Sequence, residues 1–381
     1  GSMTADRLIN IDANGAVSGG NLSAASSIDI LSSSIDVGDV NGLAFVALEA
    51  SAGDVNSGAL TTDGLLTVTS TGDSNLSSAN AGSSIAVNSG GNAVVGDTTA
   101  GGALTLNVAG DLTTGVLNSG GTSIGMNISA SGTANISSAI SAGLLNIDVA
   151  TLTAGNLTGA SLVTIDAAGV NVGNVTSTNQ SVAINAVNGN IIAQSLNANS
   201  SVSATATNGA VDVGAANSGT STTLTGQSVA LDSGAIGGPL RLNATAGDID
   251  GNGTITVGGG IDLDATGNVG FGDLDAQGGT FTVDAGGNIN FTSAASSDDM
   301  TLNAGGSTNG GSATSASALT MTAGGLIDLD DVTSDAALSI TGNGGIIITN
   351  VAGGSVLLDS GSAGMSLDAV TGSSSIGLTG G

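Results

Sequence analysis

SVAINAVNGNIIAQSLNANS, residues 181–200, reads as one turn of a repeating fold. Val182, Ile184 and Ala186 alternate with Ala183 and Asn185, the period of a β-strand with one face turned inward. Asn188-Gly189 is a turn signal. Ile191-Ile192 opens a second short strand, Ser195-Leu196-Asn197-Ala198 makes a third, and Asn199-Ser200 closes the turn. The same grammar fills 240–260, with Leu240, Leu242 and Ala244 inward, then Ile249, then Ile255 and Val257. It fills 261–279 with Ile261, Leu263 and Ala265, then Val269 and Phe271, then Leu274 and Ala276.

Working outward, the central apolar residue of this triplet returns at 11, 30, 48, 68, 87, 106, 126, 147, 165, 184, 204, 224, 242, 263, 283, 302, 321, 340, 358 and 378. The mean step is about 19 residues, and a fixed period of that size marks a solenoid. Three short strands per coil, joined by Gly, Asn and Ser turns, predict an all-β fold: a right-handed parallel β-helix of about 20 coils. At about 4.8 Å per coil the rise would be on the order of 95 Å. Helical repeats do not fit, because the apolar period is two, β-branched residues are dense and charged helix formers are missing. No break in composition separates domains, so 4–381 reads as one β-solenoid domain behind Gly1-Ser2-Met3, which has the look of a cloning scar.

Composition narrows the function. The chain has 65 Gly, one Pro and no Cys, His, Trp or Tyr, and its only basic residues are Arg7 and Arg241. Its net charge is −28. Such a surface offers no electrostatic footprint for nucleic acid or an anionic membrane. No stretch is apolar for the length a bilayer span needs, and no signal peptide is visible. Glycine is expected to supply positive φ at the corners. Pro239 falls at a corner, where a missing ladder donor is tolerated. The stretch 305–318, GGSTNGGSATSASA, lacks bulky inward residues and predicts the weakest, and a locally mobile, part of the core. The longer steps from 126 to 147 and from 242 to 263 predict longer corner loops.

The residue after each central position should face solvent. In order these are Asp12, Leu31, Glu49, Thr69, Asn88, Asn107, Asn127, Asp148, Asp166, Asn185, Thr205, Thr225, Asn243, Asp264, Asp284, Asn303, Thr322, Thr341, Asp359 and Thr379. All but Leu31 are Asp, Glu, Asn or Thr. Stacked coils would set Asn88, Asn107, Asn127, Asn185, Asn243 and Asn303 into a structural ladder of amides. Carboxylates adjacent in such a line repel, and two adjacent pairs remain, Asp148 with Asp166 and Asp264 with Asp284. These four are the candidates for a Ca²⁺ edge, although Ca²⁺ takes 6–8 converging oxygens and a flat face supplies few. No other cofactor is expected. Arg241 should lie one coil from Asp262 and pair with it.

Catalysis is not expected. Acidic clusters exist at Asp262, Asp264, Asp273 and Asp275, and at Asp328, Asp330 and Asp331, but alternation alone places such residues outward. No His or Lys stands ready as a base, no Trp or Tyr offers a sugar platform, and a phosphate loop ending in GK[ST] is impossible without Lys. The Ca²⁺-binding nonapeptide array is missing. The Thr-x-Thr pairs Thr67/Thr69, Thr223/Thr225 and Thr320/Thr322 are scattered rather than regular.

Units such as LRLNATAGDIDGNGTITVGGG (240–260), IDLDATGNVGFGDLDAQGG (261–279) and FTVDAGGNINFTSAASSDD (281–299) resemble the repeats of filamentous haemagglutinin-type adhesins, bacterial exoproteins of two-partner secretion, and of related autotransporter passengers. The shared pattern is apolar-x-apolar-[DN]-A-x-G-[DN]-[IV], followed by G-x-[LV]-x-A, and it covers essentially 8–381. The resemblance implies a secreted or surface-displayed stalk on a Gram-negative cell, passed through an outer-membrane transporter and serving adhesion or biofilm cohesion. Its ligand would be an unknown host or bacterial surface group, including carbohydrate. The family's Asn-Pro-rich secretion motif is missing and no RGD occurs, so no functional residue carries over. Two alternatives remain: a face that binds carbohydrate or a partner, and a calcium-dependent surface-layer or matrix protein. Unpaired sheet edges at the end coils predict end-to-end association of the chain.

Overall fold

The computed structural model describes residues 1–380 and is an all-β parallel solenoid of about 20 turns, ~19 residues apart. Every regular element among the described residues is a strand, and every strand pair with a described register is parallel. Contacts divide the chain into two compact units, Gly1–Asn185 and Ala186–Gly381.

In the first unit the inward column of the leading strand runs Ile28, Val46, Leu66, Ile85, Leu104 and Met126, each the Cα partner of the next. All six are buried. Each such side chain contributes about 1.5–3 kcal/mol relative to an exposed position. Coils that include Ile9–Asp12, Val17–Ser18 and Leu22–Ala24 have three separate strands. Farther on, the second and third strands fuse into one bent strand, as in Ser74–Ala81 and Ala93–Ala100. The bend is visible in the pairing, which passes from Leu76↔Val95 directly to Ser78↔Asp97. There the inward residues shift phase, from Ser74 and Leu76 to Ala79 and Ala81. Three faces per coil therefore stand, but the expectation of three short strands is corrected to two longer ones in most coils. Met3–Ala5 pairs with Leu22–Ala24, so Met3 belongs to a coil.

In one coil the register differs from the one that the spacing predicts. Leu106 pairs with Ile128, not with Met126, and Ile128 pairs with Ile147. The inserted residues lie at 120–125, where Gly125 has a φ of 62° and Ile124 is 65% exposed. The long step is thus from 106 to 128, one coil earlier than the spacing predicted.

In the second unit Leu224, Leu242, Leu263, Val283, Leu302, Met321, Ile340, Leu358 and Leu378 follow one another in register. The stretch 305–318 makes an ordinary strand, Thr308–Ser315, paired on both sides. Its thin interior is filled from the previous coil: the Phe291 ring occupies the space that a Cβ at its partner Gly310 would take. The buried hydroxyl of Thr308 is the one buried side-chain polar atom without a partner among the described residues.

Glycine does not act as the composition suggested. Positive φ occurs only at Gly125, Gly279, Gly345 and Gly361 among the described residues. Close approach between coils is the commoner requirement. A Cβ on Gly64 would overlap the carbonyl oxygen of Ala44, and one on Gly96 that of Ser77.

Candidate functional site

Three kinds of outward array are built by the stacking. The first follows the central apolar residues. Asn107 donates through Nδ2 to Asn88 Oδ1 at 2.9 Å, Asn185 to Asp166 Oδ1 at 2.8 Å, and Asn303 to Asp284 Oδ1 at 2.7 Å. Asn127 is not in this column. The phase correction puts Ser129 there, between Asn107 and Asp148. Asn127 instead lies two residues earlier on the face, where Asn146 donates to it at 2.7 Å. Asn243 lies in register between Thr225 and Asp264. Asp148 is the Cα partner of Asp166, and Asp264 of Asp284. In both pairs the second carboxylate takes an amide hydrogen bond from the following coil, which draws part of its charge away from its neighbour. Among the described residues no three acidic groups gather closely enough to hold a metal ion. Asp262 and Asp264 share one strand face, whereas Asp273 and Asp275 lie on a different strand, Val269–Ala276. Asp328, Asp330 and Asp331 are all exposed, and Asp331 accepts from Asn350 at 2.6 Å.

The second array is built from residues that the sequence marks only as turn formers. At the G-[DN] step before the second strand, each side-chain oxygen accepts the backbone N–H of the equivalent residue one coil on. Asp54 accepts from Asp73 at 2.8 Å, Asp73 from Asn92 at 2.7 Å, and Asn92 from Asp111 at 2.9 Å. In the second unit Asp248 accepts from Asn268 at 2.6 Å and Asn268 from Asn288 at 2.8 Å. The oxygen passes beneath the glycine of the next coil: Asp54 Oδ1 occupies the place of a Cβ on Gly72, and Asp248 Oδ1 that of a Cβ on Gly267. The signal was present in the repeat as the invariant-looking pair G-[DN] of 72–73, 91–92, 110–111, 267–268 and 287–288. Its meaning needs the next coil in place. A related cap at another corner lowers the pKa of Asp299, first through the Ser317 hydroxyl and then through the Ala318 N–H. Asp250 is shifted the other way, by burial and then by the charge of Asp248.

The third feature is a groove of about 600 Å³ in the second unit. Thr223, Arg241, Asp262 and Thr282 are successive Cα partners along its floor. Ser221, Pro239, Gly260 and Thr280 form its corner edge, tied by the hydrogen bonds Leu240 N–H to Gly260 O at 3.0 Å and Ile261 N–H to Thr280 O at 2.9 Å. Arg241 Nε stands 3.6 Å from Asp262 Oδ2, with the two side chains 57% and 47% exposed. An ion pair so exposed is worth about 0–1 kcal/mol.

No protein-family model matches the chain, and neither does any curated protein or solved structure. Its function is therefore argued from geometry.

Proposed function

We propose that the chain is a non-catalytic stalk segment of a large secreted or surface-displayed bacterial adhesin of the filamentous haemagglutinin type. On this reading it is delivered by an outer-membrane transporter to the surface of a Gram-negative cell, and it supports adhesion or biofilm cohesion by holding a binding module away from that surface. The observation that carries the proposal is that the inward strand columns keep coil-to-coil register within each unit, with the irregularities confined to bends and corners such as 120–125, Ala130/Thr133 and Ser334/Ala337. Ile85, Val87 and Ser89 meet Leu104, Leu106 and Val108 in the same way that Ile261, Leu263 and Ala265 meet Phe281, Val283 and Ala285. Outward positions are filled mostly from the same few residue types, so most coils are interchangeable in chemistry as well as in geometry. Repeats of this kind add stability and length by nearest-neighbour contact.

Interchangeability is testable. Removing residues 85–103, one whole coil by register, joins Ser84 to Leu104 without changing phase. With the chain displayed on cells and a reporter binder fused to its far end, we expect display and reporter binding to persist after this deletion. The same is expected for deletion of any other single coil. Loss of function on removal of one particular coil, but not of its neighbours, would overturn the stalk reading.

For the chain taken by itself, we propose end-to-end association through the strand Met365–Thr379. Val356 and Leu358 are 2% and 0% exposed, yet their partners in the final strand, Ile376 and Leu378, are 47% and 54% exposed. An uncovered parallel edge with apolar residues beside it is a template for another chain. We expect light scattering to show concentration-dependent association of the chain, and the Ile376→Lys/Leu378→Lys variant to stay monomeric at the same concentrations.

A further inference from the structure

We propose that the groove around Arg241 and Asp262 is a binding site for a neutral saccharide. The inference begins from a break in the pattern. The floor column is Thr223, Arg241, Asp262, Thr282, and Thr301 follows next, so a guanidinium and a carboxylate interrupt a run of threonines. The same place holds the only proline of the chain and the only basic residue of 186–381. Gly260, between Pro239 and Thr280 on the edge, lines the groove and has no room for a side chain, since a Cβ there would meet the Thr280 carbonyl oxygen. A pair worth so little to stability leaves these departures without a structural account.

The lining decides the ligand class. Arg241 offers up to five N–H donors, Asp262 only acceptors, and Thr223, Thr282, Ser221 and Thr280 both kinds. Donors and acceptors in alternation suit a molecule dense in hydroxyl groups, each of which gives one hydrogen bond and takes another. Pro239 is exposed at the rim and presents C–H surface for the apolar face of a sugar ring. The volume lies within the range of small-molecule sites, about 300–1,000 Å³. Charge excludes the competitors. An anion would approach a chain of net charge −28 against repulsion, and a cation would meet the guanidinium. A neutral polyol meets neither penalty and can bridge the pair, accepting from Arg241 and donating to Asp262.

The site is independent of the stalk reading, because deletion of residues 85–103 leaves the groove's lining untouched. It is tested by screening the purified chain on an array of neutral and acidic di- and trisaccharides, then titrating the hits at low and high salt. The expected result is retention of neutral saccharides with an affinity that salt does not change. Arg241→Ala and Asp262→Asn should each weaken binding about tenfold or more, whereas Arg7→Ala, which removes the same charge elsewhere, should not. Thr282→Val provides a second lesion within the groove should either charge variant fail to fold, and it should weaken binding as well. Retention of no neutral saccharide would overturn the proposal. So would salt-sensitive binding confined to acidic glycans, or binding unchanged by the groove variants.

Discussion

Gly64→Ala is expected to destabilise the chain by about 3 kcal/mol, the upper part of the range for overpacking, whereas Gly15→Ala should change stability by less than about 0.5 kcal/mol. The two differ in what the new methyl group meets. At Gly15 nothing lies within 4 Å, and at Gly64 the Cβ lands on the carbonyl oxygen of Ala44. That carbonyl cannot retreat, because Ala44 N–H is bonded to Ser26 O at 2.6 Å and Phe45 is paired with Leu65. Neither glycine has positive φ, so a conformational account of the glycines predicts no difference between them. Gly72 separates the causes more finely. Its Cβ would displace Asp54 Oδ1, which holds Asp73 N–H at 2.8 Å. Asp54→Ala removes the nearest obstacle together with the hydrogen bond, leaving the Gly53 carbonyl carbon at 3.0 Å as a tight but tolerable contact. The double variant Gly72→Ala/Asp54→Ala should therefore be more stable than the sum of the single losses, by about 1 kcal/mol of coupling. Additive losses in chemical denaturation would show that the side-chain oxygen is not what excludes the methyl group.

The same comparison shows which features a single sequence carries. Alternation and the return of about 19 residues are local properties, so the strands, their inward faces and the parallel stacking were legible from residues such as Val182, Ile184 and Ala186. Phase was lost only where the pattern is degenerate. In Ile124-Gly125-Met126-Asn127-Ile128-Ser129-Ala130 every second residue is apolar or small, and Met126 and Ile128 serve equally well as centres until Leu106 is placed against one of them. The pairing of Arg241 with Asp262 was legible because it needs only the period. The corner ladder was not. Asp54 and Gly72 each look like turn residues, and only stacking reveals that one side chain occupies the other's missing Cβ. The groove was hidden for the same reason, since its lining is drawn from four successive coils.

Phe281→Ala should cost about 3–5 kcal/mol, the range for deleting a buried aromatic side chain. Phe281 is 0% exposed and stands in register between Ile261 and Met300. Its ring centroid lies 6.4 Å from that of Phe271, at 55°, a tilted contact worth a further fraction of this cost. Phe45→Ala is the control. Phe45 is 36% exposed, and its loss should stay below about 1 kcal/mol. The more informative measurement is where the lost stability appears. In a stack held by nearest-neighbour contacts, a cavity weakens the two interfaces that share it before any others. Amide exchange in Phe281–Ala285 and in its partners Ile261–Ala265 and Met300–Ala304 should therefore accelerate first. Ile327–Gly342, beyond the next coil of the same unit, should keep its protection. Uniform acceleration across the unit would mean that it opens as one cooperative block, and that a coil cannot be lost or weakened without its neighbours. The tolerance to single-coil deletion expected of a stalk depends on the first of these outcomes.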